Sequence, residues 1–93
     1  MTAGEKIVQY WDKQPTTIDG VLGGYQDVHT SDIKTSHEMI RKTQDYISGY
    51  EQALDCGAGI GRITQYVLLK NFENTDLLEQ SGVQINEARN RVP

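Results

Sequence analysis

Apolar residues recur at helical spacing in four stretches of the chain and form short runs in two others. Ile7, Val8, Tyr10 and Trp11 mark a short amphipathic helix. Thr2-Ala-Gly-Glu5 supplies a capping box at its start, and Pro15 stops it. Ile33, Met39, Ile40, Thr43, Tyr46 and Ile47 form a longer helical stripe of the kind that packs a core. Thr35-Ser-His-Glu38 reads as its capping box and Gly49 as its C-cap. Gln52 to Cys56 reads as a strand, and Ile63, Val67 and Leu68 continue into a helix reaching about Leu69. Asn71 and Asn74 bracket the exit. Thr75-Asp-Leu-Leu-Glu79 reads as a second strand ending in an acid, and Ser81 can cap a last helix carrying Val83, Ile85 and Ala88. The order contains one β-α-β unit, whose right-handed crossover predicts parallel strands.

Thr16 to Tyr25 is dense in turn formers yet keeps Ile18, Val21, Leu22 and Tyr25. A floppy linker has no need of those apolar residues, so the segment is expected to be an ordered loop. Two readings stay open on composition: a loop that seals the core, or a lid hinged by Gly20 and Gly23-Gly24. Asp19 is read as ordering the Gly20 turn rather than acting as a base.

The densest chemistry lies in Ala53-Leu-Asp-Cys-Gly-Ala-Gly-Ile-Gly-Arg62, read as the end of a buried strand, a glycine turn and a helix start. Gly57, Gly59 and Gly61 at alternate positions argue for a ligand lying against bare backbone. The helix start behind them offers free N–H groups and a positive dipole end to an anionic group. The dinucleotide fingerprint is G-x-G-x-x-G, and here Arg62 stands where its third glycine should fall, which counts against NAD. An acid at the strand end followed by G-x-G-x-G is the S-adenosylmethionine pattern. That cofactor's α-carboxylate suits the planar fork of Arg62. Glu79 lies close to the roughly 20 residues expected between the turn and the acid that binds ribose hydroxyls.

The totals narrow the picture. The chain has 93 residues, enough for one small domain. Its net charge of −4 gives no global attraction to nucleic acid or to anionic membrane. No apolar run approaches the ~20 residues of a membrane span, and the N-terminus leads into no apolar signal region. The single cysteine, Cys56, excludes an internal disulfide and fits a reducing compartment, cytoplasmic or nuclear. It is read as a small buried strand-end residue. No Cys/His set has metal-ligand spacing, so no metal is expected. His29, in a loop, and His37, at a helix start, are read as surface residues.

With these segments placed, the chain resembles the eukaryotic α-N-terminal protein methyltransferases, which methylate the α-amino group of proteins beginning Xaa-Pro-Lys or Xaa-Pro-Arg. The resemblance covers Tyr10 to about Glu79. Its most specific parts are Tyr10-Trp11 with Thr17-Ile-Asp-Gly-Val-Leu-Gly-Gly-Tyr25, and Ala53 through Thr64. It implies an α/β fold: a partial Rossmann-like, class I S-adenosylmethionine-dependent methyltransferase fold, made of N-terminal helices and the first β-α-β unit. Residues 1–50 would hold the helices and substrate loop, and residues 51–93 the cofactor-binding unit. By the resemblance, Gly57 and Arg62 bind the cofactor's methionine end, Gly59 and Gly61 belong to the same cofactor-binding turn, and Glu79 contacts its ribose. Gln80 follows at a position that is often apolar or proline in the family. Trp11 matches an aromatic that helps close the cofactor pocket. Leu22 and Gly23, with Val28, match the loop lining the channel for the substrate N-terminus, which favours the lid reading of residues 16–25.

The family's later segments carry further strands, the catalytic Asp and His and the pocket for the substrate proline. No counterpart of these is found here, so the chain reads as an N-terminal portion, with no catalytic residue assigned and no activity expected of it alone. The family's reaction needs a neutral α-amine, whose ordinary pKa is near ~8, held in line with the methyl carbon and sulfur. Two other readings remain: a small non-enzymatic module that binds a nucleoside-like ligand or another protein chain, and a fragment of a dinucleotide-dependent oxidoreductase.

Overall fold

The N-terminal helix α1 runs Ala3–Lys13, and Thr2 accepts a hydrogen bond from the Glu5 N–H at 3.1 Å, as the capping box predicts. The computed structural model describes residues 1–93. After Pro15 the chain makes one short helix, α2 (Ile18–Val21), capped by Thr17 Oγ1 accepting from the Gly20 N–H at 3.0 Å. The segment is therefore ordered, as its apolar content requires. Asp19 acts further along than expected: its Oδ1 accepts from the Gln26 N–H, and its carbonyl accepts from the Gly24 N–H.

Helix α3 spans His29–Lys42, starting well before the capping box read at Thr35. The 3-10 turn Gln26–Val28 feeds directly into it, with Val28 already helical, so Thr35 falls inside an established helix. The far end is also shorter than the apolar stripe implied. Thr43 closes the helix, donating from Oγ1 to the Met39 carbonyl at 2.8 Å, and a 3-10 turn, Gln44–Tyr46, follows. Gly49 lies beyond it and caps nothing. Tyr46 is 89% and Met39 60% exposed, and Thr43 is exposed too, so three members of the expected core stripe face solvent.

Strands β1 (Gln52–Cys56) and β2 (Asn74–Leu78) pair in parallel, from Gln52 opposite Asn74 to Cys56 opposite Leu78. Between them lie the glycine turn, a π-helical segment Thr64–Leu68 and the short α4 (Leu69–Asn71). Helix α5 spans Gly82–Arg91, with Ser81 Oγ accepting from the Gln84 N–H at 3.2 Å. One face of the sheet, carrying Ala53, Asp55, Thr75 and Leu77, is partly covered. The other carries Leu54, Cys56 and Leu78 in the open, so Cys56 is exposed rather than buried.

The core sits behind the glycine turn: Ile60, Val67 and Ala88 are nearly inaccessible, with Thr64, Ser81 and Gln84 among them. On α5 the buried side is Gln84 and Ala88, while Val83 is 45% exposed, against the apolar pattern read for that helix. Gln84 can be buried because its side-chain amide nitrogen is hydrogen-bonded. Its Nε2 donates to the Trp11 carbonyl at 3.3 Å, and Ser81 Oγ donates to Asp12 Oδ1 alongside. These two bonds fasten α1 onto the start of α5.

Candidate functional site

The sharp bend after β1 is made by backbone. Gly57 has φ +69°, and both its N–H and that of Ala58 donate to the Leu78 carbonyl, at 2.8 and 3.0 Å. The turn is thereby tied to the end of β2, which brings Glu79 against it. Nothing lies within 4 Å of where a Gly57 side chain would project. The backbone there faces open space.

That space is a cavity of about 460 Å³, within the usual range for small-molecule sites. Asp55, Gly57, Gly59, Arg62, Glu79 and Gln80 line it from the strand ends and the turn. Trp11, with Ile7 and Val8 of α1, covers it from the other side. The two carboxylates that the sequence placed at the ends of successive strands thus share one hollow. Gly61 does not line it. Its missing side chain makes room for packing instead: a Cβ there would fall 2.8 Å from Val92 Cγ2 and 3.3 Å from Ala88 Cβ. Leu22, Gly23 and Val28 also lie outside the cavity, which α2 reaches only through Val21.

The polar groups are held in place. Glu79 Oε1 accepts from the Gly59 N–H at 2.8 Å and Oε2 from the Ser81 N–H at 2.9 Å. Each carboxylate oxygen keeps a further lone pair for a ligand hydroxyl. Asp55 Oδ2 accepts from Thr64 Oγ1 at 2.7 Å. Arg62 is only 14% exposed and is not free: Nη2 donates to Asp32 Oδ2 at 2.8 Å and Nη1 to His29 Nδ1 at 3.2 Å. His29 is therefore a half-buried partner of the site, not a surface residue. Its ring stands edge-on to Tyr66, with centroids 4.9 Å apart. Burial, then the Arg62 charge, push its pKa below the ordinary imidazole value, partly offset by Asp32. His37 is half-buried too, with Nε2 donating to the Tyr66 carbonyl and Nδ1 accepting from Asn71.

Sequence reasoning missed Val21, Ile60, Ile63, Ser81 and Gln84 as lining residues. One signal was present: Ser81-Gly-Val-Gln84 has the spacing of a capping box, which fixes both side chains beside the end of β2. Taken together, the wall offers one cation, two carboxylates, bare backbone and an apolar cover. Such a site suits a ligand carrying charges of both signs, hydroxyls and a flat apolar part.

The parallel β-α-β unit, its glycine turn and the acid after the second strand define a partial Rossmann-like fold of the S-adenosylmethionine-dependent methyltransferase class. The chain belongs to the family described as AdoMet-dependent proline di-methyltransferase, whose profile matches residues 2–92. It is similar to the "Alpha N-terminal protein methyltransferase 1" of Drosophila melanogaster, 39% identical over 84 residues, covering 90% of this chain and 30% of that protein. The "N-terminal Xaa-Pro-Lys N-methyltransferase 1" of Homo sapiens is 40% identical over 77 residues, covering 80% of this chain and 34% of that protein. Among solved structures, a SAM-dependent methyltransferase of Leishmania major superposes with a TM-score of 0.84 at 43% identity, covering 92% of this chain and 34% of that one. The chain thus spans about a third of the length of these relatives.

Proposed function

We propose that this chain forms the S-adenosylmethionine-binding part of a protein methyltransferase acting on the α-amino group of proteins that begin Xaa-Pro-Lys or Xaa-Pro-Arg. The observation that carries the reading is the convergence of Asp55, Gly57, Gly59, Arg62 and Glu79 on one cavity. The residues fit the cofactor. Gly57 leaves a bare cradle that any side chain would enter, the cavity has the volume of a small-molecule site, and the charges present are those a zwitterionic nucleoside needs.

When bound, the cofactor supplies a methyl group made electrophilic by its sulfonium. The chain's own residues do the holding. Arg62 binds the α-carboxylate with the N–H groups not taken by Asp32 and His29. Asp55 would balance the ammonium charge, and Glu79, already oriented by two backbone N–H groups, would accept from the ribose hydroxyls. Gln80 lies next along the wall. Trp11, Ile7 and Val8 keep water from the apolar side. Leu22, Gly23 and Val28 stand on the loop assigned to the approach of the substrate N-terminus. No residue of this chain is assigned to proton removal from the amine.

Calorimetric titration with S-adenosylhomocysteine and with NAD tests the cofactor reading. Heat of binding for the first and none for the second is expected. Binding of NAD alone, or of neither, overturns it.

A further inference from the structure

Arg62 is the one cation in the cavity wall, yet the groups that orient it stand on α3, outside the cavity. His29 and Asp32 are three residues apart, on one face of that helix, and each takes one arm of the guanidinium fork. We propose that His29 and Asp32 are positioning residues that set the aim of Arg62, and so the affinity of the site for the carboxylate end of its ligand. This rests on the cofactor reading given above.

The chemistry defines the roles. A guanidinium only donates, so His29 Nδ1 must be an acceptor and the ring proton must sit on Nε2. The edge-on Tyr66 ring, from the π-helical segment, holds the imidazole plane. Asp32 takes Nη2 with a charge-assisted bond at 2.8 Å. Two acceptors at different ends of the fork leave it little rotational freedom. Its remaining N–H groups are those available toward the cavity. Arg62, Asp32 and Tyr66 are the charged and titratable groups facing His29, and neither His29 nor Asp32 lines the cavity itself. Neither therefore touches the ligand, and both act through Arg62.

Two ligands separate this role from a merely structural one. S-adenosylhomocysteine carries the amino-acid tail, and 5′-methylthioadenosine has the same nucleoside end without it. Binding of both is measured by calorimetry on the intact protein and on its His29→Ala, Asp32→Ala and His29→Gln variants. The alanine variants should weaken S-adenosylhomocysteine roughly five- to tenfold, about the worth of one typical net hydrogen bond, and leave 5′-methylthioadenosine unchanged. His29→Gln, whose amide oxygen can still accept from Arg62, should restore most of the loss. Equal weakening of both ligands means the residues only support the fold, and overturns the proposal. Tighter S-adenosylhomocysteine binding in Asp32→Ala means Asp32 competes for Arg62 rather than aiming it, and overturns it too. If the unmodified protein binds neither ligand, the cofactor reading itself fails. If it binds S-adenosylhomocysteine more tightly than 5′-methylthioadenosine and the variants change neither, only the positioning role fails.

Discussion

His29 sits where three effects meet: partial burial, the Arg62 charge at its Nδ1 side, and the Asp32 carboxylate. The first two disfavour the imidazolium and outweigh the third, so its folded pKa lies below the unfolded value of about 6.5. The unfolded chain therefore takes up a proton first as pH falls. The stability tied to neutral His29 is complete above about 6.5 and is lost as pH drops through the lower folded value. Thermal melts from pH 7.5 to 5 should show a falling midpoint, and His29→Gln, which cannot titrate, should fall less. Identical pH profiles for the two proteins would remove His29 from the acid response. The same residue shows the limit of reading side chains from sequence. A histidine after a glycine-rich loop looks solvated until the helix it begins is packed on the turn holding Arg62. Glu79 was legible because its distance from the turn is a property of the chain. That both its oxygens are occupied by backbone N–H groups is not.

Among the elements, the glycine turn and α5 depend on each other. The absent side chain of Gly61 is where Val92 and Ala88 of the last segment enter, and the residue sits at φ +82°. Gly61→Ala should destabilise the protein by about 1–3 kcal/mol through left-handed strain and overlap with Val92, as measured by urea denaturation. A loss near zero would mean that α5 moves aside freely. Strand positions were legible from short apolar runs bounded by turn formers, and β1 was read with its observed bounds. The ends of α3 were not. A local capping signal at Thr35 was overridden because the preceding 3-10 turn had already supplied a helical start, and the cost of nucleation had been met upstream.

For the whole molecule, the balance of surface and core is unusual. Only 9 of 93 residues are buried, while Leu54 and Leu78 are 59% and 61% exposed on the open sheet face beside Cys56. A two-stranded sheet with such a face is marginal in water and offers unpaired edges to other chains. Expressed by itself, this 93-residue chain should self-associate through that face, and should transfer no methyl group to an Ala-Pro-Lys peptide. Native mass spectrometry and a peptide methylation assay check both. A monomer with turnover would refute the expectation.

Local sequence by itself determined the glycine turn, the two strands, the helix caps at Thr2 and Ser81 and the spacing that sets an acid after β2, because each depends on backbone conformation and short-range hydrogen bonds. Only the tertiary structure decided that Gly61 packs α5 rather than facing the cavity. The same holds for α3 orienting Arg62 from behind, and for α1 closing the site through Asp12 and Gln84. Those contacts join residues far apart in the chain. Their partners are chosen by which faces remain to be buried once the elements meet, and no local pattern encodes that choice.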